Sequence, residues 1–154
     1  MAKKSLKKLV MLVLSVSLVI VAVLAGGCVG KEIETPIQET PNQIIEGITT
    51  QEAFSLIQEN QNNPDFVIID LRWPKLFANG HIENAINIDI DSETFRDELN
   101  QLDKNKTYLI YTSCSCGGIG WKALRIMEEL NFREVYNMWS GLDRWKEEGL
   151  PTTK

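Results

Sequence analysis

Two thiols and three glycines fall within seven residues, Cys114-Ser115-Cys116-Gly117-Gly118-Ile119-Gly120. An apolar run, Tyr108-Leu109-Ile110-Tyr111, precedes them, and Ala123, Ile126, Met127 and Leu130 follow at helical spacing. The segment therefore reads as a tight connection from a strand into a helix. Glycine lets the backbone curl through positive φ. A curled loop at a helix start turns several N–H groups inward, where the helix dipole adds to them. A cysteine at the mouth of such a cradle ionises more readily, and the thiolate is its nucleophilic form. The same cradle would steady a persulfide, whose outer sulfur is also anionic. The plainer reading is a glycine-rich connection carrying incidental cysteines. Cys116 reads either as a resolving thiol, closing a strained and reducible Cys-x-Cys disulfide, or as a small loop residue. A metal site wants three or four ligands. With two loop thiols and a single histidine, His81, no metal is expected.

The elements around the turn alternate. Thr49-x-x-Glu52 is a capping-box pattern opening a helix over 50–60, which Asn62, Asn63 and Pro64 break. Residues 66–69 are a short apolar, largely β-branched run of the kind buried in parallel sheets, ending at Asp70. A helical turn at 75–79, a strand at 85–90 and a helix from Asp91 or Ser92 to about 102 come next. After the cysteine turn and its helix, a strand at 135–138 and a helix at 142–148 complete the pattern. It predicts an α/β fold, a mostly parallel sheet with helices on both faces. In such sheets sites lie at the carboxyl ends of strands, where Asp70 and Cys114 both fall.

The amino-terminal part is different in kind. Residues 1–27 carry four lysines and no acid, with an apolar stretch at 9–25 interrupted only by Ser15 and Ser17. A basic head, an apolar middle and a small-residue exit, Ala25-Gly26-Gly27-Cys28, form the layout of a secretory signal. The junction resembles the lipobox of prokaryotic lipoproteins, which implies lipid attachment at Cys28. It departs from that pattern in having Ala25 where leucine is usual, with Leu24 one position back. The other reading is an uncleaved signal anchor. Either places the domain at the outer face of the cell membrane. Residues 28–45 then form a flexible tether, with Ile44–Ile48 alternatively a first edge strand, and 46–154 form one domain. Without residues 1–27 the chain keeps 21 acidic and 12 basic residues, a net charge near −9 against −5 for the whole. Such a surface suits neither nucleic acid nor anionic headgroups, so membrane attachment rests on the anchor.

Over residues 46–151 the chain resembles the rhodanese-like family of thiosulfate and persulfide sulfurtransferases. The matching pieces are Asp70-Leu71-Arg72, Gly80-His81-Ile82-Glu83-Asn84-Ala85, the cysteine turn, Val135-Tyr136-Asn137 with Ser140-Gly141, and Trp145 with Gly149-Leu150-Pro151. Register from Cys114, rather than Cys116, aligns Gly117 with the family glycine and Asn131-Phe132 with the end of the next helix. The resemblance implies a three-layer rhodanese-like fold and sulfane sulfur carried on Cys114, with Ser115 to Gly120 as the anion-binding loop. It implies no cofactor, since sulfur itself is the cargo. The partners it implies are a small sulfur-containing substrate and a thiol acceptor, which can be a protein. Asp70 and Arg72 are implied to be structural partners, and His81 to order the loop before the next strand. Trp121 is placed to wall the pocket.

The chain departs from the family at Ile119 and Gly120, where arginine and serine are usual. Each lost charge-assisted contact weakens binding of a sulfonate by about 1.5–3 kcal/mol, so thiosulfate is disfavoured against a persulfide. The related phosphatases use Cys-x5-Arg. Here the spacing reads Cys116-x5-Lys122, and lysine does not clamp a phosphoryl group bidentately. The alternative function is a non-catalytic rhodanese-fold binding module at the membrane.

Overall fold

The computed structural model describes residues 43–115 and 118–154. The expected anchor over 1–27, the lipid-bearing Cys28, all but the last residues of the tether, and Cys116 and Gly117 lie outside them. The described residues fall within one compact unit spanning Gln38–Lys154.

Five strands, β1 (Ile44–Ile48), β2 (Phe66–Asp70), β3 (Ala85–Asn87), β4 (Thr107–Tyr111) and β5 (Glu134–Met138), form one sheet in the order β1-β5-β4-β2-β3. Every pairing is parallel. The helices are α1 (Thr50–Glu59), α2 (Pro74–Ala78), α3 (Phe95–Gln101), α4 (Ile119–Glu129) and α5 (Gly141–Glu147). Side chains alternate across the sheet and build two cores. On one face Ile69, Tyr108, Ile110 and Val135 pack with Phe95 and Leu99 of α3 and Ala123, Leu124 and Met127 of α4. On the other, Ile48, Ile68, Leu109 and Met138 pack with Ala53 of α1 and Leu142 and Trp145 of α5. The three-layer expectation holds. Of the two readings of Ile44–Ile48, the edge strand is the one observed.

Thr49 caps α1 as a full box: its Oγ1 accepts from Glu52 N, and its N–H donates to Glu52 Oε2 at 2.8 Å. Three boundaries differ from expectation. β3 stops at Asn87, because only Ile68, Ile69 and Asp70 of β2 remain to pair with it. α3 starts at Phe95, because side chains satisfy the backbone ahead of it. Asp91 N donates to Asp89 Oδ1 and Thr94 N to Ser92 Oγ, which holds 89–94 as local turns. α4 starts at Ile119, so Ile119 and Gly120 belong to its first turn and not to the connection.

Strand order reverses between β2 and β4: β2 leads outward to β3, and β4 leads the other way to β5. A crevice opens outside the carboxyl ends of strands at such a point.

Candidate functional site

Cys114 lies three residues beyond the end of β4, half-buried. The chain leading to it is fixed from the side of α5. Leu142 N donates to Thr112 O and Asp143 N to Ser113 O, each at 2.8 Å. These loop carbonyls satisfy N–H groups in the first turn of α5 that have no partner within the helix. Thr112 Oγ1 donates to Cys114 O at 2.9 Å. Gly141 sits at φ 75, and a Cβ there would lie 2.6 Å from Cys114 N and from the Ser113 carbonyl. Glycine is required twice over, for the left-handed backbone and for the close approach.

Cys114 opens onto two cavities. One, of about 370 Å³, is formed with Gly118, Gly120, Trp121, Asn137 and Trp139. The other, of about 200 Å³, lies in the β2–β4 crevice with Arg72, Trp73, Leu76 and Ile90. Ile119 borders both. Trp73, Leu76, Ile119, Trp121 and Trp139 are all exposed, so the rim around the sulfur is aromatic and apolar. The first turn of α4 carries no side-chain cap, and its N-cap Gly118 is left-handed at φ 66. Gly118, Ile119 and Gly120 of this helix start line the first cavity. Cys114 is disulfide-bonded. The other two cysteines of the chain, Cys28 and Cys116, are both outside the described residues.

Among the described residues lining these two cavities, Arg72 is the one cation, and it is already engaged. Its Nε donates to both Asp70 oxygens at 2.9 and 3.0 Å, and its Nη2 donates to Asp70 Oδ2 at 2.6 Å and to Gly80 O at 2.8 Å. Burial by itself would lower the guanidinium pKa; the bonds to Asp70 and its charge outweigh this and raise it. Asn87 Nδ2 closes the corner by donating to the carbonyls of Asp70 and Arg72. Burial holds the Tyr111 hydroxyl above the ordinary tyrosine range, and the Asp70 charge adds to the effect. Asp70 is fully buried and faces neither cavity. The two side chains satisfy each other and the Gly80 carbonyl.

His81 is also apart from the sulfur. Its ring stacks on Phe77 with centroids 3.8 Å apart, and Nδ1 lies 3.0 Å from Phe77 O. A carbonyl only accepts, which assigns the proton to Nδ1. The His81 and Thr153 backbones exchange two hydrogen bonds of 2.9 Å. Among the described residues no group of three or more potential metal ligands occurs, and no helix is long and apolar enough to cross a membrane.

Two residues of the site escape a reading by motif. Asn137 and Gly47 stand side by side in the β1–β5 register. Asn137 lies under α4, and Gly47 lies under Trp121, whose ring atom would be 2.5 Å from a Cβ. Val135-Tyr136-Asn137 marks the strand but not the direction of the amide.

The family model of the rhodanese-like domain matches residues 53–148. A tRNA uridine(34) hydroxylase from Photorhabdus laumondii subsp. laumondii is 34% identical over 112 residues, 66% of this chain and 31% of that protein. One from Yersinia pestis is 35% identical over 106 residues, 61% of this chain and 29% of that protein. The chain spans about a third of the length of the curated relatives it matches. Among solved structures, a Rhodanese_3 like domain from Anabaena sp. aligns with TM-score 0.51 and 27% identity, over 58% of this chain and 99% of that one. A rhodanese-related protein from Thermoplasma volcanium aligns with TM-score 0.57 and 24% identity, over 70% and 97%.

Proposed function

The chain belongs to the rhodanese-like domain family, and from that premise we propose that it is a sulfurtransferase or persulfide carrier, with sulfane sulfur held on Cys114. Its place is the outer face of a membrane, held there through the segment ending at Cys28. The observation that carries the reading is the seat of Cys114: half-buried beyond β4, open to two cavities, beside a helix start that has no side-chain cap.

The cycle begins from the dithiol, so a thiol reductant must first open the Cys114 disulfide with two electrons. The Cys114 thiolate then attacks the outer sulfur of a donor persulfide. A bond forms between the two sulfurs, the donor's S–S bond breaks, and its electron pair leaves with the donor thiolate. An acceptor thiolate next attacks the outer sulfur; the bond from that sulfur to Cys114 breaks and its electron pair stays on the Cys114 sulfur. If Cys116 attacks the Cys114 sulfur instead, the outer sulfur departs as hydrosulfide and a disulfide remains.

With Arg72 engaged by Asp70, a dianionic donor finds no free cation among the described residues of either cavity, which favours a monoanionic persulfide over thiosulfate. The activity named for the curated relatives belongs to proteins about three times the matched length. The net charge of −5 argues against a nucleic-acid substrate here. The second reading, a binding module, draws on Ile119 and Gly120 standing where the family has arginine and serine.

Intact-mass measurement after reduction separates the two. Incubation with a small persulfide should add one sulfur atom, at least tenfold faster than with thiosulfate, and Cys114→Ser should add none. No adduct from either donor leaves the binding module.

A further inference from the structure

Asn137 is an anomaly in an otherwise well-paired interior. It is 2% exposed, and its Nδ2 is the one buried side-chain nitrogen or oxygen among the described residues with no hydrogen-bond partner. Buried amide donors are almost always paired. Asn87, the comparable asparagine at the end of β3, gives both its hydrogens to carbonyls. Asn137 has no such structural outlet.

Its position explains what could receive the bond. In β5 it is in register with Ile110 and shares a face with Val135 two residues earlier, so its side chain faces α4. Gly120 makes the room: a Cβ there would lie 2.5 Å from Asn137 Oδ1 and 2.9 Å from Nδ2. The carboxamide therefore lies against the uncapped first turn of α4, in the wall of the cavity that Cys114 opens. The carboxamide and the uncapped helix start border one cavity, and Asn137 Nδ2 has no hydrogen-bond partner there.

We propose that Asn137 donates from Nδ2 to the anionic sulfur at Cys114, the thiolate before loading and the outer persulfide sulfur after it, in place of a loop cation. A neutral donor stabilises a single negative charge without demanding a second, so the site is matched to monoanionic sulfur. The persulfide half rests on the sulfur-carrier reading; the thiolate half does not.

The test reads the Cys114 thiol itself. In the reduced full-length chain carrying Cys116→Ser, the rate of Cys114 alkylation is followed against pH by peptide mass spectrometry. Asn137→Leu should raise the apparent Cys114 pKa by about one unit, a tenfold loss of thiolate at neutral pH, and Asn137→Asp should raise it further through repulsion. Both should do so in protein that melts cooperatively. Should Asn137→Leu fail to fold, Asn137→Ala reads the same shift without added bulk. An unchanged profile in a folded variant lacking the amide overturns the proposal. Sulfur loading of the wild type is scored separately. A wild type that takes no sulfur defeats the carrier reading and leaves the alkylation comparison standing.

Discussion

Arg72 is buried as a cation against Asp70, whose bonds and charge more than offset the effect of burial on its pKa. The side chains of the pair are 7% and 0% exposed. Removing one partner of such a pair strands the other without compensation, at a cost of about 3–5 kcal/mol. Arg72→Met should therefore lower the urea midpoint sharply, and Asp70→Asn with Arg72→Met should recover a good part of the loss. Additive effects would mean that the two do not act as a unit. The pair is legible in the sequence through the family resemblance carried by Asp70-Leu71-Arg72. Cys114 is equally legible, being the first residue of a glycine-rich turn after an apolar run. Asn137 is not. Its vacancy arises from β5, α4 and the missing side chain of Gly120 together, and no local pattern encodes three elements meeting.

At the scale of elements, the sulfur is placed by helix beginnings. α5 receives the carbonyls of Thr112 and Ser113 on its first N–H groups, and Gly141 lets it come close enough to do so. Gly141→Ala would drive a methyl into backbone, which cannot rotate away, and adds roughly 1–2 kcal/mol for the left-handed conformation. It should lower Tm and slow sulfur loading of Cys114. Gly149→Ala separates the two causes. Gly149 has φ 73 but nothing within 4 Å of a Cβ, so it should cost the conformational part alone and leave loading intact. Periodicity and the capping box reveal the elements themselves, as with Thr49 and α1. The ends of β3 and the start of α3 are hidden from it, because one depends on how much of β2 is left to pair and the other on side chains of Asp89 and Ser92 competing for the backbone.

For the molecule as a whole, alkali is the revealing stress. The chain has three tyrosines, and all three are held above the ordinary value, in each case by burial first. Tyr108 and Tyr136 are pushed up to about 12, and Tyr111 is raised as well. A pKa raised in the folded state means stability is intact below the unfolded value near 10. It is lost as pH climbs from there through the folded value. Tyrosinate absorbance should therefore lag behind that of free tyrosine and then rise together with unfolding, while Tyr108→Phe should flatten the fall in stability above pH 10. Ionisation of all three near pH 10 with the fold intact would contradict this.

Among the described residues, β1 has β5 as its sole neighbour in the sheet. Yet its Gly47 backbone floors the Trp121 ring, and its Ile48 carbonyl accepts from the Trp139 backbone N–H at 3.2 Å. Detachment of this edge strand would take with it the floor of the Trp121 ring and the backbone tie of Trp139. Loss of β1 alone would therefore bare the wall of the cavity beside Cys114 while β5, β4, β2 and β3 keep their pairings with one another.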